Sequence, residues 1–352
     1  MTSSAPTSRP SPIGDGKTSS LFPSPLGFGC MGITSFYGAP LPQSDATTLL
    51  AAAYAQGYRH YDTAEIYKTA GPFTDDDGGV YNEAVCSSFF NSVPRDSFTV
   101  ATKIHPGKWG GKTDYDTVRT ALVNSLARLR LDYVDLYYCH RIPSKAGALT
   151  FMASCKRLVA EGLVRHVGLS EISGAWLREA HAVHPVAAVE QEWSLLTRGP
   201  VETELAPVCA ELGVAIVAYS PLARNMLCTG AELATPKDWR ATLPRYAEEN
   251  AARNKELMAE VAAAATSSGC TAAQLSLAWL LKRGAALGVT IVPIPGTTKA
   301  GHAADNFAAT EVVLADSVGV ALETLASRIA GARGTPAYCA AAIEGQLPDP
   351  AL

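Results

Sequence analysis

Four polar side chains stand where apolar runs stop. Tyr58-Arg59-His60-Tyr61-Asp62 reads as a short strand that delivers an acid at its end, and Tyr67 follows in the next loop. Thr99-Val100-Ala101-Thr102 runs into Lys103, and Tyr133-Val134-Asp135-Leu136-Tyr137-Tyr138-Cys139 runs into His140. An acid, a phenol, an ammonium and an imidazole at strand ends make a proton-transfer site if the strands are parallel neighbours. A phenol titrating at about 10 is a poor proton shuttle at neutral pH. A nearby ammonium favours the phenolate and lowers that value, and a carboxylate beside the ammonium keeps it charged. Asp62, Lys103 and Tyr67 therefore form a sensible relay for protonating an oxyanion, and a neutral His140 can orient a carbonyl by hydrogen bonding. With a hydride donor, such a site suits reduction of an aldehyde or ketone. Singly, each residue has a plainer role: a turn cap, a surface ion pair, loop packing, a structural hydrogen bond. Only their joint placement makes a site.

The elements that must position them follow a repeating pattern. A buried glycine-ended strand, Pro25 to Gly32, precedes a helix from Ser44 that closes at Gly57, a C-terminal glycine stop. Strands are expected at Tyr58–Asp62, Phe98–Thr102, Tyr133–Cys139, Val164–Leu169, Ala187–Glu192, Val214–Ala218 and Val289–Ile294. Helices are expected from Asn82 through Phe90, over Thr113–Arg130, Gly147–Ala160, Gly174–Val183, Glu202–Leu212, on both sides of Gly269, over Lys299–Ala308 and over Asp316–Ala330. Thr271-Ala272-Ala273-Gln274 has the pattern of a capping box. Repeated strand–helix units without hairpins demand a parallel sheet with helices outside. Eight repeats favour a closed (β/α)8 TIM barrel in the α/β class, with an open doubly wound sheet as the other arrangement. No Gly-x-Gly-x-x-Gly joins a strand to a helix, which counts against a dinucleotide-binding open sheet. In a barrel the strand ends share one face, where barrel chemistry sits.

Composition bounds the function classes. The net charge is −4 and no dense Lys/Arg cluster occurs, so neither nucleic acid nor an anionic membrane is an expected partner. Eight cysteines are scattered with no Cys-x-x-Cys pair, which excludes common zinc spacings and suggests a reducing, cytoplasmic setting. The longest uncharged run, Val261 to Leu281, is broken by Thr266-Ser267-Ser268-Gly269-Cys270-Thr271 and is too polar to span a bilayer. Residues 1–20, rich in Ser, Thr and Pro, read as a disordered tail without a secretory h-region. The expected division is that tail, a single barrel domain over 21–330, and a C-terminal extension over 331–352.

The chain resembles the aldo-keto reductase family from about Leu26 to Ala330. The resemblance rests on Leu26-Gly27-Phe28-Gly29-Cys30-Met31-Gly32, Tyr61-Asp62-Thr63-Ala64 followed by Tyr67, Ala101-Thr102-Lys103 and Asp132-Tyr133-Val134-Asp135-Leu136-Tyr137-Tyr138 with His140-Arg141. It continues through Val167-Gly168-Leu169-Ser170, Ala218-Tyr219-Ser220-Pro221-Leu222 and Pro293-Ile294-Pro295-Gly296-Thr297. It implies a catalytic tetrad of Asp62, Tyr67, Lys103 and His140, with Tyr67 as general acid. It also implies NADPH, with NADH less favoured, bound without a Rossmann fold. The implied cofactor residues are Gly32 and Ile33 after the first strand, Asp62, and Ser170, Glu171 and Gln191 at the carboxamide. Tyr219 is to stack on the nicotinamide, and Ser220, Pro221, Leu222 and Arg224 are to line the pyrophosphate. Gly296, Thr297, Thr298, Lys299, His302 and Asn306 are to face the adenosine and its 2′-phosphate, where a helix start also offers free N–H groups.

Three departures qualify the resemblance. Glu171 stands where many members carry Asn, as in a branch (aryl-alcohol dehydrogenases and pyridoxal reductases) that shares the run Glu192-Trp193-Ser194. Ala223 replaces a frequent glycine, and His302 replaces an arginine that often grips the 2′-phosphate, while Lys299 remains. The loop Lys68–Tyr81 is long and follows Tyr67 directly, so it is expected to shape the substrate mouth. Its Asp75-Asp76-Asp77 run reads as a solvated tip rather than a cation site. A small carbonyl compound is the expected partner, with the oligomeric state open. Two other readings compete: a non-catalytic NADPH-binding regulatory subunit, as in channel-associated relatives, and an unrelated phosphate-binding barrel.

Overall fold

The computed structural model describes residues 20–69, 79–229 and 238–347. Eight strands run parallel in strict chain order: β1 Phe28–Gly29, β2 His60–Asp62, β3 Thr99–Ile104, β4 Val134–Cys139, β5 Val164–Ser170, β6 Val186–Glu192, β7 Ala215–Tyr219 and β8 Ile291–Pro293. Backbone bonds from Gly27 N to Pro293 O at 2.9 Å and from Gly29 N to Pro295 O at 3.4 Å join the first strand to the last. Two glycines make that seam possible. A Cβ on Gly29 would lie 2.7 Å from Ile294 O, and one on Gly296 would lie 2.6 Å from Gly29 O. The expected (β/α)8 barrel is the fold.

Helices α1 Gln43–Gln56, α2 Asn82–Phe90, α3 Tyr115–Leu129, α4 Lys145–Ala160, α5 Gly174–Val183 and α6 Ala206–Leu212 alternate with the strands. The sixth helical segment opens with a π turn over Val201–Leu205, just before Pro207 removes a backbone donor. After β7, a short α7 Met226–Thr229 and 3-10 turns at Trp239–Thr242 and Pro244–Tyr246 lead to α8 Glu248–Ser267 and α9 Ala272–Ala286. The latter carries the expected capping box at Thr271 and Gln274. α10 Ala300–Ala308 follows β8, and the last expected helix is broken into α11 Asp316–Glu323 and α12 Leu325–Arg328. Short turns, including α13 Pro336–Ala340, end the described chain.

The core has two layers, as strand alternation requires. The larger lies between the sheet and the helices and contains Phe89, Tyr137, Phe151, Val167, Val189, Trp193 and Ala218. The smaller fills the barrel axis with Ala101, Leu136, Tyr138, Ala188, Ala215, Val217, Val292 and Ile294. Leu21 and Phe22, at the edge of the expected tail, plug the amino-terminal end of the axis. Leu21 O accepts from Thr99 Oγ1 at 2.9 Å, and the Phe22 ring meets His60 edge-on at 4.9 Å.

Candidate active site

The carboxyl ends of β2, β3 and β4 converge on one buried ammonium. Lys103 is fully buried, and its Nζ donates to Asp62 Oδ1, to Thr63 O at 2.8 Å and to Tyr67 OH at 3.5 Å. The Tyr67 ring faces His140 edge-on at 5.6 Å. The four residues read from strand ends therefore meet in space.

Two buried side chains hold the loop that carries Tyr67. Asn82, at the start of α2, donates from Nδ2 to Cys30 O and Thr34 Oγ1, both at 2.9 Å, and accepts at Oδ1 from Thr63 at 2.6 Å. Its backbone N donates to Tyr67 O at 2.7 Å. Glu65 accepts from His105 N at 2.7 Å and from Trp109 Nε1 at 3.1 Å, and burial raises its pKa to about 6. Beyond Tyr67 the chain is clasped by an antiparallel bridge between Lys68 and Tyr81. The Asp75-Asp76-Asp77 run lies outside the described residues.

Electrostatics departs from the sequence argument at Tyr67. Burial raises the phenol pKa above its usual range, more than the Lys103 ammonium lowers it, and Asp62 and Glu190 add to the rise. Lys103 is opposed by burial, yet Asp62 and then Glu190 keep its pKa raised. Burial, with Lys103 and His105 as lesser causes, holds His140 well below its usual value. At neutral pH the site thus holds a protonated phenol, an ammonium and a neutral imidazole.

Alternation on β6 sorts two neighbours that residue type alone does not. Glu190 faces the axis, with Oε2 3.4 Å from Lys103 Nζ, and pairs in register with Ser170. Gln191 points to the opposite face, in register with Ala218 of the helix-side core, and its amide nitrogen and oxygen have no partner. The side chain expected at the carboxamide is thus turned away from the axis, and a carboxyl occupies the inward position.

The remaining expected cofactor residues fall along the carboxyl-end rim. Gly32 and Ile33 form a 3-10 turn after β1 with Ile33 buried, and Ser170 closes β5. Glu171 and Ser220 each adopt a left-handed backbone just past a strand, as do Ala223, Arg224 and Asn225. Non-glycine residues in that region store strain and cluster at ligand sites. Pro221 is buried and Leu222 half-buried in this turn. Across the seam, Gly296 and Lys299 are exposed and Thr297 and Thr298 half-buried. The start of α10 has no side-chain cap; His302 on its first turn is exposed and Asn306 is buried.

The described part of the C-terminal segment packs on this rim. Arg333 Nη2 donates to Glu171 Oε2 at 2.7 Å, Nη1 to Glu192 Oε2 at 3.1 Å, and Nε to Glu344 Oε1 at 2.6 Å. Tyr338 OH lies 2.7 Å from Tyr219 OH and accepts from Arg141 at 2.9 Å and Arg224 at 3.0 Å. Burial opposes the charge on Glu171, but Arg333 and Arg141 outweigh it and hold the carboxyl at about 2. Nothing in the residue pattern after Ala330 marks these partners, whereas Glu190 and Glu192 are legible as acids set into an apolar strand.

The chain is a closed (β/α)8 barrel that brings an acid, an ammonium, a phenol and an imidazole together at adjacent strand ends. The sequence model of the aldo/keto reductase family matches residues 25–326, and the chain belongs to that family. Among solved structures, the thermostable aldo-keto reductase Tm1743, in complex with the inhibitor epalrestat, is 27% identical, with a TM-score of 0.66 over 85% of this chain and 94% of that one. An aldo-keto reductase from Klebsiella pneumoniae in complex with NADPH is 25% identical, with a TM-score of 0.65 over 86% and 90%. A glycerol dehydrogenase from Gluconobacter oxydans, 21% identical, shares the fold at a TM-score of 0.73 over 87% and 92%.

Proposed function

We propose that this chain is an NADPH-dependent reductase of aldehydes or ketones in which Tyr67 supplies the proton. The observation that carries the reading is the buried Lys103 ammonium, bonded to Asp62 and 3.5 Å from the Tyr67 hydroxyl at the open end of the barrel. His140, kept neutral, donates a hydrogen bond that orients the carbonyl oxygen. Tyr67 then protonates that oxygen as negative charge develops on it, with Lys103 stabilising the phenolate left behind. The bound nicotinamide would supply the hydride to the carbonyl carbon.

This chain's residues fit the phosphate-bearing half of such a cofactor. The uncapped start of α10 offers backbone donors to an anion, with Lys299 and His302 exposed beside it. Lys299 favours the 2′-phosphate, so NADPH is the preferred form and NADH the weaker one. Ser170, Tyr219 and the left-handed turn through Ser220, Pro221, Leu222 and Arg224 would hold the nicotinamide half. The Klebsiella relative was crystallised with NADPH, which supports the same cofactor here. Eight free cysteines fit a reducing compartment such as the cytoplasm.

Tyr67→Phe tests the reading. Aldehyde reduction, followed at the nicotinamide absorbance, is expected to fall by about 10²–10⁴-fold, with NADPH binding by tryptophan quenching nearly unchanged. Full turnover in that variant would remove Tyr67 from the chemistry. Cofactor binding by the wild type without turnover of any aldehyde, ketone or pyridoxal would favour the regulatory-subunit reading instead.

A further inference from the structure

Glu190 is a carboxyl at the centre of the barrel that the reductase reading leaves unused. It is 3% exposed, and its Oε2 lies 3.4 Å from Lys103 Nζ. Lys103 thus carries two carboxyls, Asp62 and Glu190, for a single ammonium. Asp62 Oδ2 and Glu190 Oε2 are both buried and both without a hydrogen-bond donor. A buried carboxylate oxygen without a donor is costly. Asp62 and Glu190 are hydrogen-bonding neighbours on the same ammonium, and one proton between them satisfies both oxygens.

Among the described residues, the neighbours of Glu190 offer no other countercharge. From β4, Tyr138 brings a buried hydroxyl that also lacks a partner, and burial with the charges of Glu190 and Asp62 keeps it un-ionised. From β5, Gly168 leaves room for the Tyr138 ring, since a Cβ there would lie 2.3 Å from it. Ser170 of β5 and Val217 of β7 flank Glu190 in register and carry no charge. Tyr67, from the loop after β2, adds only a neutral phenol. The arginines of the rim, Arg141, Arg224 and Arg333, bond instead to Glu171, Glu192, Tyr219 and Tyr338.

We propose that Asp62 and Glu190 share one proton beneath Lys103, making Glu190 a positioning residue that sets the charge of the Tyr67–Lys103 pair. Burial, then repulsion from Asp62, raises the Glu190 pKa to about 8, against the pull of Lys103. With the proton held, the cluster of Asp62, Glu190 and Lys103 is neutral overall, and Tyr67 faces an ammonium with one compensating charge. The same proton can reset the site, a step that rests on the reductase reading. After Tyr67 gives its proton to the substrate oxygen, Lys103 passes one to the phenolate and takes the shared proton in return. Tyr67 and Lys103 then regain their starting forms, both carboxyls are ionised, and the cluster recovers its missing proton from solvent.

The test begins on the cofactor-free protein with glutamate side chains labelled at the carboxyl carbon. Carbon NMR across pH 4–10 is expected to show one glutamate titrating near pH 8, apart from the Glu65 signal near 6. The high-pH signal should vanish in Glu190→Gln. If every glutamate of the wild type titrates below about 6.5, both carboxyls are ionised and the proposal fails. That measurement stands even if the variant does not fold. Stability supplies a second readout. A carboxyl with a raised folded pKa keeps its proton where the unfolded chain has released it, so the contribution of Glu190 to stability declines as pH rises from about 4.5 to about 8. The thermal midpoint of Glu190→Gln should lack that decline, and parallel curves for the two proteins would overturn the proposal. In turnover, wild-type kcat/KM for reduction should fall about tenfold per pH unit above that value, and the limb should move upward in Glu190→Gln. The two readings fail separately: an active Tyr67→Phe sinks the reductase assignment without touching the titration, whereas a missing titration beside an inactive Tyr67→Phe sinks only the shared proton.

Discussion

At the floor of the barrel His60 is fully buried with Nδ1 2.8 Å from Thr99 Oγ1, and burial lowers its pKa to about 3, with Lys103 adding to the shift. Its neutral form is the one that folds. An unfolded histidine takes up a proton below about 6.5, which the native one refuses, so His60 contributes stability above that value and loses it on acidification. The expected loss is about 1.4 kcal/mol for each pH unit below 6.5. Urea midpoints between pH 7 and pH 5 check this, and His60→Gln should flatten the decline relative to the wild type. An unchanged slope would mean that His60 is charged in the folded chain. The same physics explains what was and was not legible at single residues. The positions of Asp62, Tyr67, Lys103 and His140 are readable because a polar residue ending an apolar run has few structural uses. The direction of the Tyr67 shift is not, because the ammonium that lowers it is written in the sequence while the depth of burial that raises it is set by the closed rim.

Between residues and the whole, the element that matters most to the site is the start of α2. Asn82 ties the first strand's exit at Cys30, the turn at Thr34 and Thr63 to its buried side-chain amide, and its backbone N–H holds Tyr67 O. Asn82→Ala would remove this amide from Cys30 O, Thr34 Oγ1 and Thr63 Oγ1 while keeping the backbone bond to Tyr67 O, at a cost of about 1–3 kcal/mol in unfolding free energy. It should also loosen the Tyr67 loop, lowering kcat more than it weakens NADPH binding, since the residues proposed for the adenosine, Thr297 to Asn306, follow β8 on the other side of the seam. Chemical unfolding with steady-state kinetics checks both parts; a stability loss with intact kcat would show that the loop is held elsewhere. Strand β6 shows why element-level reading stopped short. Helix periods and glycine stops placed most elements within a few residues, because an amphipathic helix exposes one face. A strand of a parallel barrel is buried on both faces, so its sequence does not declare which parity points inward. Gln191 fits a carboxamide by residue type, yet the register with Ser170 and Val217 places Glu190 inward.

At the scale of the molecule, residues 331–347 lie on the strand-end rim as a strap that the barrel pattern did not foretell. Its length and composition carry no period, and its partners are far away in sequence: Arg333 with Glu171 and Glu192, Gln346 with Glu171 O at 2.6 Å, Tyr338 with Tyr219. Two substitutions separate what holds the strap from what it covers. Arg333 is buried among three carboxylates; Arg333→Ala leaves Glu192 with Arg224 and Glu171 with Arg141 and should cost about 1.5–3 kcal/mol in stability. Tyr338→Phe keeps the ring and removes only a hydroxyl, worth about 0.5–1.5 kcal/mol. If the nicotinamide lies against Tyr219, that hydroxyl bonds a residue the cofactor needs, and its removal lowers the cost of lifting the strap. NADPH should then bind about two- to tenfold more tightly to Tyr338→Phe than to the wild type, measured by quenching of tryptophan fluorescence. Equal affinity in the two proteins would mean that cofactor and strap occupy the rim together, with Tyr338 forming a wall of the substrate mouth rather than a latch.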